Sequence, residues 1–241
     1  MTDYSFMTGK GERANNEDCV RVVDKGSFKA FILADGLGGH GNGEIASAAA
    51  VSAVENFVVN NDFNENMLNE CFIQAQKGVF EAQEVCAFDE MRTTLVVLII
   101  NDNKAYWGHI GDSRLYVFDG IKCDYRTSDH SIPQLLLNMG EIEEKEIRHH
   151  SERNKLLKAL GSPASENDEL YSLGGENIDV RGKSFLICSD GFWEWIEEKD
   201  MEKYLKKSKD ADSWLKTMAD KVVDKGCGKN MDNLSAITII C

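Results

Sequence analysis

Four aspartates of this 241-residue chain stand beside apolar runs, a placement that suits metal binding. The stretch "FILADGLGGHG" predicts an apolar strand that ends on Asp35 and is followed by glycines, whose backbone can come close to a ligand. Three later stretches repeat the pattern with Asp112, Asp190 and Asp232: "GHIGDSRLYVF", "FLICSDGFWEW" and "NMDNLSAITII". Carboxylates fixed at the ends of rigid strands hold divalent cations. We therefore expect these aspartates to converge on divalent metal ions.

The composition argues against several classes of function. A net charge of -14 disfavours nucleic acid as a partner and also a polybasic membrane anchor. No apolar run approaches the ~20 residues that span a bilayer, and the start of the chain lacks the apolar core of a signal peptide. The seven cysteines form no C-x-x-C pair, which disfavours zinc and thioredoxin-type sites. We expect a reduced, cytoplasmic protein with no nucleic-acid or membrane partner.

The order of predicted elements indicates an α+β fold in a single domain, residues 1–241. Strands and helices are segregated along the chain rather than alternating. Two antiparallel sheets packed face to face, with helices outside, would bury every apolar strand. The strands are predicted at 3–8, 19–23, 27–35, 92–102, 104–112, 113–120, 121–128, 183–191 and 234–241, and the helices at 43–60, 64–85, 132–142, 143–161, 192–208 and 210–226.

Three local patterns make finer predictions. The helix at 43–60 carries Ile45, Ala49, Ser52, Ala53 and Phe57 at helical spacing, which predicts that this side is buried. The helix at 64–85 likewise has one apolar side, formed by Met67, Leu68, Cys71, Phe72, Ala75 and Val79. The strands between residues 92 and 128 follow one another across short turns, which predicts one antiparallel meander.

Seven motifs, taken in order, resemble a known family. They are "RANNED", "ADGLGGHGNGEIAS", "RTTLVV", "GHIGDSRLYVF", "TSDHSIPQLLLNMGEI", "FLICSDGFWEWI" and "MDNLSAITI", and they look like the metal-dependent protein phosphatases of the PPM (PP2C) type in their bacterial form. The resemblance covers nearly the whole chain. It implies a four-layer α-β-β-α sandwich and a protein serine/threonine phosphatase, in which a metal-activated water hydrolyses phosphoserine and phosphothreonine monoesters.

The resemblance implies metal ligands by residue. Asp35 would bridge two ions, the backbone carbonyl of Gly36 would bind one of them, and Asp190 and Asp232 would complete the set. Asp112 matches the ligand of a third ion, shared with Asp190, although an aspartate in "GDSR" also suits an ordinary β-turn. Carboxylate and carbonyl oxygens select Mn²⁺ or Mg²⁺, in two or three sites. Two such ions lower the pKa of a bridging water and clamp the phosphoryl oxygens.

The resemblance also implies roles around the metals. Glu17 and Asp18 would hold waters that surround the ions. Arg13 would bind the substrate phosphate, which a guanidinium can grip through two oxygens at once. His40 matches a histidine of the bacterial pattern and would serve either as proton donor to the leaving group or as a structural hydrogen-bonding residue. His130, in "TSDHS", is predicted to be structural.

Two other classes of function stay open beside the phosphatase. The first is a catalytically weak regulatory or binding module that keeps the fold, although such proteins usually lose a metal aspartate and this chain keeps Asp35, Asp190 and Asp232. The second is a calcium-binding structural domain, disfavoured because no D-x-D-x-D-G loop is present. For the phosphatase we expect phosphorylated protein substrates, a partner serine/threonine kinase and a monomer.

Overall fold

Two β-sheets lie face to face in the computed structural model of the chain, which describes residues 2–37, 42–163 and 169–241. Neighbouring strands in both sheets are antiparallel. The strands are β1 (Asp3–Gly9), β2 (Asp18–Asp24), β3 (Phe28–Leu37), β4 (Arg92–Thr93), β5 (Leu95–Asn101), β6 (Lys104–Ile110), β7 (Arg114–Asp119), β8 (Lys122–Arg126), β9 (Ser172–Asp179), β10 (Lys183–Cys188) and β11 (Leu234–Ile240). The helices are α1 (Gly43–Asn60), α2 (Met67–Cys86), α3 (Ile132–Asn138), α4 (Glu144–Ile147), α5 (Asp190–Trp193), α6 (Glu198–Leu205) and α7 (Ala211–Gly226).

The strand order mixes early and late parts of the chain. The first sheet has the order β1-β11-β10-β7-β8, and the second sheet has the order β2-β3-β5-β6-β9, with β4 paired to β3. Each sheet therefore brings together strands that are far apart in sequence. This is the arrangement that can collect side chains from distant motifs at one place.

Three apolar layers hold the sandwich together. Between the sheets, Phe31 and Leu33 of the second sheet share one cluster with Ile187 and Ile237 of the first. The outer face of the second sheet packs on α1 and α2, and the outer face of the first sheet packs on α5, α6 and α7. Burial of each such side chain contributes about 1.5–3 kcal/mol. The predicted α-β-β-α sandwich is confirmed.

Strand β3 is buried on both faces, as its continuous apolar sequence predicts. Phe31 and Leu33 face the other sheet, while Ile32 faces the helices. The sequence predicts that the strand ends on Asp35, but it runs on to Leu37 because its last two residues pair with β4. Since side chains alternate along a strand, Asp35 lies on the inner face with Leu33.

The predicted meander between residues 92 and 128 is wrong at one step. Strands β5 and β6 form a hairpin, and so do β7 and β8. Strands β6 and β7, however, belong to different sheets. The chain crosses from the second sheet to the first at Gly111–Ser113, where Gly111 has a φ of +94° that favours glycine. Asp112 therefore lies in the crossing between the sheets.

The predicted buried side of α1 is also wrong, by about one residue around the helix. The residues buried against the sheet include Ala46, Ala50 and Val54, while Ile45 is exposed. Small side chains let the helix lie close to β3. The side with Ala49 and Ala53 contacts α2 instead, where the space for a Cβ at Gly78 is filled by Ala53. The predicted buried side of α2 is confirmed, and its residues Met67, Leu68, Cys71, Phe72, Ala75 and Val79 are all buried.

Two predicted long helices are shorter or broken. In the region 143–161 only α4 is helical, because the chain then forms bridges with distant residues, Leu156 with Ser131 and Leu160 with Thr93. The region 192–208 contains the end of α5 and all of α6 rather than one helix. None of the described helices has the length and apolarity needed to cross a membrane.

Candidate active site

A cleft of about 430 Å³ opens at one end of the sandwich, between the two sheets. It collects side chains from motifs that are far apart in sequence, as predicted. Carboxylates dominate its polar lining, with one arginine at the rim. Its lining residues are Arg13, Ala14, Asn15, Glu17, Asp35, Gly36, Leu37, Asp112, Asn154, Asp190, Asp232 and Asn233.

The second sheet places Asp18 and Asp35 side by side. The two residues are register partners between β2 and β3. Directly opposed residues of antiparallel strands point to the same face, here the face towards the first sheet. Two carboxylates therefore lie at the same edge of the space between the sheets. Asp35 lines the cleft, and Asp18 lies behind it.

Backbone and hydroxyl groups fix Asp35 in position. The carbonyl of Asp35 accepts hydrogen bonds from Thr94 N–H (2.8 Å) and from Thr93 Oγ1 (2.9 Å). Its N–H donates to Thr94 Oγ1 (3.0 Å), which also bonds Ser113 Oγ (2.8 Å). Both threonines are buried. The Thr94–Ser113 bond joins the Asp35 strand to the crossing that carries Asp112.

Gly36 leaves no room for a side chain. A Cβ at this position would lie 2.1 Å from the carbonyl oxygen of Gly43, at the start of α1, and 2.8 Å from the carbonyl oxygen of Glu17. The N–H of Gly36 donates to that Glu17 carbonyl (3.0 Å). Glycine here lets the start of α1 lie directly against β3 beside Asp35.

The first sheet supplies three more aspartates from one edge. Cys188, the last residue of β10, is a register partner of both Arg114 in β7 and Ala236 in β11. Asp112 precedes β7, Asp190 follows β10 and Asp232 precedes β11. Antiparallel pairing therefore brings the three to the same end of the sheet.

The turn that carries Asp112 is held on several sides. The carbonyl of Asp112 accepts a hydrogen bond from Trp193 Nε1 (3.0 Å). His130 Nδ1 accepts from Gly111 N–H (3.2 Å), and the His130 N–H donates to the Gly111 carbonyl (2.9 Å). His130 also stacks on His109, with ring centroids 4.7 Å apart. The predicted structural position of His130 agrees with these contacts, and burial lowers its pKa to about 3, which keeps the ring neutral.

Arg13 stands at the rim of the cleft. Its Nη2 donates to Asp232 Oδ2 (2.6 Å), and the two side chains are 44% and 32% exposed. The turn that carries Arg13 packs on the chain before β11, with Glu12 N–H donating to the Met231 carbonyl (3.0 Å). Gly11, with a φ of +56°, makes that close approach possible. The guanidinium is thus exposed to incoming ligands.

Asn233 connects segments at the rim of the cleft through hydrogen bonds, and it is not among the site residues predicted from the sequence. Its Oδ1 accepts from Glu17 N–H (2.8 Å), and its Nδ2 donates to the carbonyls of Lys10 (2.9 Å) and Asn15 (2.8 Å). The residue is buried. The sequence feature that could have identified Asn233 is its position directly after Asp232. Asn154, on an exposed loop, was missed for lack of any local pattern.

Asp18 lies behind the cleft rather than in its lining. The residue is buried, and its Oδ2 accepts from Ser189 Oγ (2.9 Å), which links the two sheets. In the part of the chain that the structure describes, its buried Oδ1 has no hydrogen-bond partner. His40 falls outside the described residues.

Burial and mutual repulsion raise the pKa of four aspartates in and behind the cleft. Burial, then the charges of Asp18, Asp190, Asp112 and Asp232, hold the pKa of Asp35 well above its usual range. Burial also raises the pKa of Asp18 to about 7 and, together with the charge of Asp232, that of Asp190 to about 6. The pKa of Asp112 is likewise well above normal through burial and the charge of Asp190. A cation would relieve this repulsion.

The donor set fits hard divalent cations. Carboxylate side chains and Gly36 line the cleft, and the buried Oδ1 of Asp18, without a partner among the described residues, lies behind it. Such oxygen sets suit Mn²⁺ and Mg²⁺. Within residues 2–37, 42–163 and 169–241, no three acidic, histidine or cysteine side chains already surround one point as metal ligands do. The carboxylates share one cleft, and Asp232 is turned towards Arg13.

Comparison with known proteins identifies relatives over most of the chain. The model of a family described as protein phosphatase 2C matches residues 10–234. Protein phosphatase PhpP of Streptococcus pneumoniae serotype 2 is 35% identical over 202 residues, 80% of each chain. Serine/threonine phosphatase stp of Listeria monocytogenes serovar 1/2a is 30% identical over 210 residues, 83% of this chain and 82% of the relative. A solved structure of the catalytic domain of the serine threonine protein phosphatase PstP in complex with two manganese ions has a TM-score of 0.79 at 22% identity, covering 99% of this chain and 97% of that chain.

Proposed function

The chain belongs to the protein phosphatase 2C family, and from that premise we propose that it is a metal-dependent protein phosphatase that hydrolyses phosphoserine and phosphothreonine monoesters. The observation that carries the proposal is one cleft in which carboxylates from both sheets face an exposed arginine, the pKa of Asp35 and of Asp190 being raised by desolvation. Such a cleft suits cations and the phosphate dianion that they attract. Family membership by itself identifies the chain as a protein phosphatase that acts on phosphorylated proteins.

Divalent cations, Mn²⁺ or Mg²⁺, are the cofactors of this proposal. Asp35, Asp190, Asp232 and the carbonyl of Gly36 are the proposed ligands of two ions, and Asp112 with Asp190 those of a third. Their common position in the cleft supports the assignment. Asp232 Oδ2 is held by Arg13, so binding of an ion by that oxygen means that Asp232 turns away from Arg13. When bound, the ions supply positive charge at the phosphoryl oxygens and lower the pKa of a water that becomes the nucleophile.

Glu17 and Asp18 are proposed to orient waters around the ions. Glu17 lines the cleft with its backbone fixed by Asn233, and Asp18 lies behind it with one free buried oxygen. Burial raises the pKa of Glu17, and it raises the pKa of Asp18 to about 7, so Asp18 can hold or release a proton near neutral pH. That property supports a role in binding water rather than only in structure.

Arg13 is the proposed phosphate-binding residue. Its guanidinium is half exposed at the rim and lies next to Asp232, so a phosphate bound to the cations would come within its reach. A planar guanidinium can bind two phosphoryl oxygens and keeps its charge at every physiological pH. Positioning and charge neutralisation do most of the work in phosphoryl transfer, because the transition state is loose. His40 remains the candidate proton donor to the leaving oxygen.

Turnover of phosphopeptides with and without metal tests the proposal. We expect hydrolysis of p-nitrophenyl phosphate and of phosphothreonine peptides with Mn²⁺ or Mg²⁺, and none in excess chelator. Asp35→Asn should lower kcat/KM at least about a hundredfold, the order seen when one preorganised electrostatic group is removed. Its unfolding temperature in chelator should equal or exceed that of the wild type, since one repelling charge is gone.

Two outcomes would contradict this assignment. Full activity in excess chelator would exclude metal dependence. Tight Mn²⁺ binding without turnover of any phosphopeptide would instead favour the regulatory or binding module.

Three further predictions stay predictions: a monomer, a cytoplasmic location and a partner serine/threonine kinase. Gel filtration tests the first of them.

A further inference from the structure

The active-site cleft continues into a second basin. This basin has a volume of about 350 Å³, and two residues, Leu37 and Asn154, line both it and the cleft. Its other lining residues include Arg92, Leu156, Lys158 and Glu90. We call this second space the side basin. Together the two spaces form one groove that starts at Asp35 and passes over Leu37.

Backbone pairing between strands and loop segments fixes the walls of the side basin. On one side, Leu37 and Arg92 are register partners of β3 and β4. On the other, Leu160 exchanges backbone hydrogen bonds with Thr93, at 2.9 and 3.2 Å. The segment before it is tied to the start of α3 through the bridge between Leu156 and Ser131. The basin is therefore preformed and requires little ordering when a ligand enters.

Arg92 and Lys158 face this basin, and neither forms an ion pair with a carboxylate among residues 2–37, 42–163 and 169–241. Arg92 donates to the Ser162 hydroxyl (3.1 Å) and to the carbonyls of Asp89 (2.5 Å) and Met91 (2.8 Å). Lys158 donates to the carbonyl of Glu169 (2.5 Å). Glu90 is the single acidic residue among the described lining residues and is exposed.

The local charge is opposite to that of the molecule. The net charge is -14, so the field around the protein repels acidic peptides. The described lining residues of the side basin carry two positive charges and one negative charge, directly next to a carboxylate-rich cleft. A preference for acidic sequence could therefore arise only locally, at this basin.

The distance between Arg92 and Asp35 matches the spacing of nearby residues in an extended peptide. Arg92 lies opposite Leu37, which is two residues beyond Asp35 along β3. At about 3.3 Å per residue and about 4.8 Å between strands, the Cα atoms of Arg92 and Asp35 lie about 8 Å apart. An extended peptide advances about 3.4 Å per residue. A side chain about two to four residues from a phosphoresidue at the metal site therefore reaches the basin.

We propose that the side basin binds the part of a substrate protein that flanks the phosphoresidue, and that Arg92 and Lys158 select an acidic side chain there. The proposal rests on the phosphatase function proposed above and adds a sequence preference to it. Leu37 and Leu156 provide the apolar floor for the peptide between the two anchor points. The phosphate enters the cleft, and the carboxylate enters the side basin.

A set of phosphothreonine peptides tests this preference. One aspartate is moved stepwise along an alanine-rich peptide on both sides of the phosphothreonine, and kcat/KM is measured for each peptide with Mn²⁺. We expect aspartate to raise kcat/KM by about fivefold over alanine at one position, on one side only, about two to four residues away. Lysine at that position should be disfavoured. The preference should shrink as salt concentration rises, because screening weakens exposed charge pairs.

Charge reversal identifies the residues responsible. In Lys158→Glu, the ratio of kcat/KM for the aspartate peptide to that for the alanine peptide should fall to one or below, and Arg92→Gln should lower it as well. Lys207→Glu makes the same change of charge at an exposed lysine outside the groove, and the ratio should stay at its wild-type value. Because each ratio is measured within one variant, partial loss of folded enzyme cancels.

Hydrolysis of p-nitrophenyl phosphate separates the two proposals. If the wild type hydrolyses it with metal but treats all peptides alike, the side basin does not bind substrate and this proposal is overturned. A preference for lysine, or an aspartate preference that Lys158→Glu leaves unchanged, also overturns it. Absence of any metal-dependent hydrolysis overturns the phosphatase proposal itself.

Discussion

Thr94 shows how a residue that touches no ligand can set the geometry of the cleft. Its hydroxyl accepts from the Asp35 N–H and bonds Ser113, beside Asp112. The two carboxylates come from different sheets, and this buried hydroxyl lies between their backbones. We infer that Thr94 is a positioning residue for the proposed metal ligands Asp35 and Asp112.

Replacement of Thr94 by an isosteric apolar residue tests this role. Thr94→Val leaves the Asp35 N–H and the Ser113 hydroxyl without their partner, and it should weaken Mn²⁺ affinity by about 10–100-fold, as loss of a partner behind a metal ligand does. Thr94→Ser keeps the hydroxyl and should retain affinity near that of the wild type. Affinity is measured by calorimetric titration and by the Mn²⁺ concentration for half-maximal activity. Equal affinities for the valine and serine variants would contradict the role.

Residue types could be predicted from the sequence better than residue contacts. The sequence predicts the acidic residues of the cleft because each stands beside an apolar run within a recognisable motif. It does not predict Asn233, whose amide serves three backbone groups, or the bond from Trp193 to the Asp112 carbonyl. Those contacts join segments far apart in sequence, so no local pattern encodes them. The ligand roles themselves remain predictions.

At the scale of elements, the crossing from β6 to β7 decides the shape of the site. Gly111 allows it, with a φ of +94° and Thr94 packed where a side chain would be. The sequence predicts both flanking strands but not that they separate into different sheets. Two strands linked by three residues normally pair. Here the closeness of Thr94 to Gly111 and the bonds from His130 hold the chain in a different path.

Alanine at two glycines measures the contribution of this crossing. In Gly111→Ala the new Cβ would lie 2.5 Å from Thr94 Cγ2, in left-handed backbone, and the free energy of unfolding should fall by about 3 kcal/mol or more. Gly120→Ala places a Cβ in left-handed backbone with nothing within 4 Å, and should cost only about 1–2 kcal/mol. Urea denaturation of both variants gives the difference. Equal losses would show that the contact with Thr94 carries no cost.

At the scale of the whole molecule, the sheets meet where their acidic residues repel one another. Architecture could be predicted here, because segregated strands and helices admit few ways to bury every apolar face. The relative position of the two sheets could not be predicted from the sequence, since it depends on buried hydrogen bonds such as that from Ser189 to Asp18. The stability of the molecule should therefore depend on pH and metal together.

The metal-free protein should lose stability as pH rises from about 4 to about 7. Folding raises the pKa of Asp18 to about 7 and that of Asp190 to about 6, so the folded state binds these protons more tightly than the unfolded state. Their contribution is complete below the unfolded pKa and is lost as pH passes the folded values. In chelator we expect an unfolding temperature several degrees lower at about pH 7.5 than at about pH 5.

A matched variant and added metal check the origin of this slope. Asp18→Asn removes one titrating group and should flatten the dependence of the unfolding temperature on pH in chelator. Mn²⁺ should raise the unfolding temperature most at the higher pH, because it binds deprotonated carboxylates. An identical slope in wild type and variant would contradict the assignment to Asp18.

The cleft takes its acidic residues from both sheets, and this has a consequence beyond catalysis. Asp35 lies early in the chain and Asp232 near its end, so an ion bound by both acts as a removable cross-link between distant segments, as a disulfide does in secreted proteins. Such a link suppresses partial openings that a protease needs. The lifetime of the protein in a cell would then follow the supply of divalent metal.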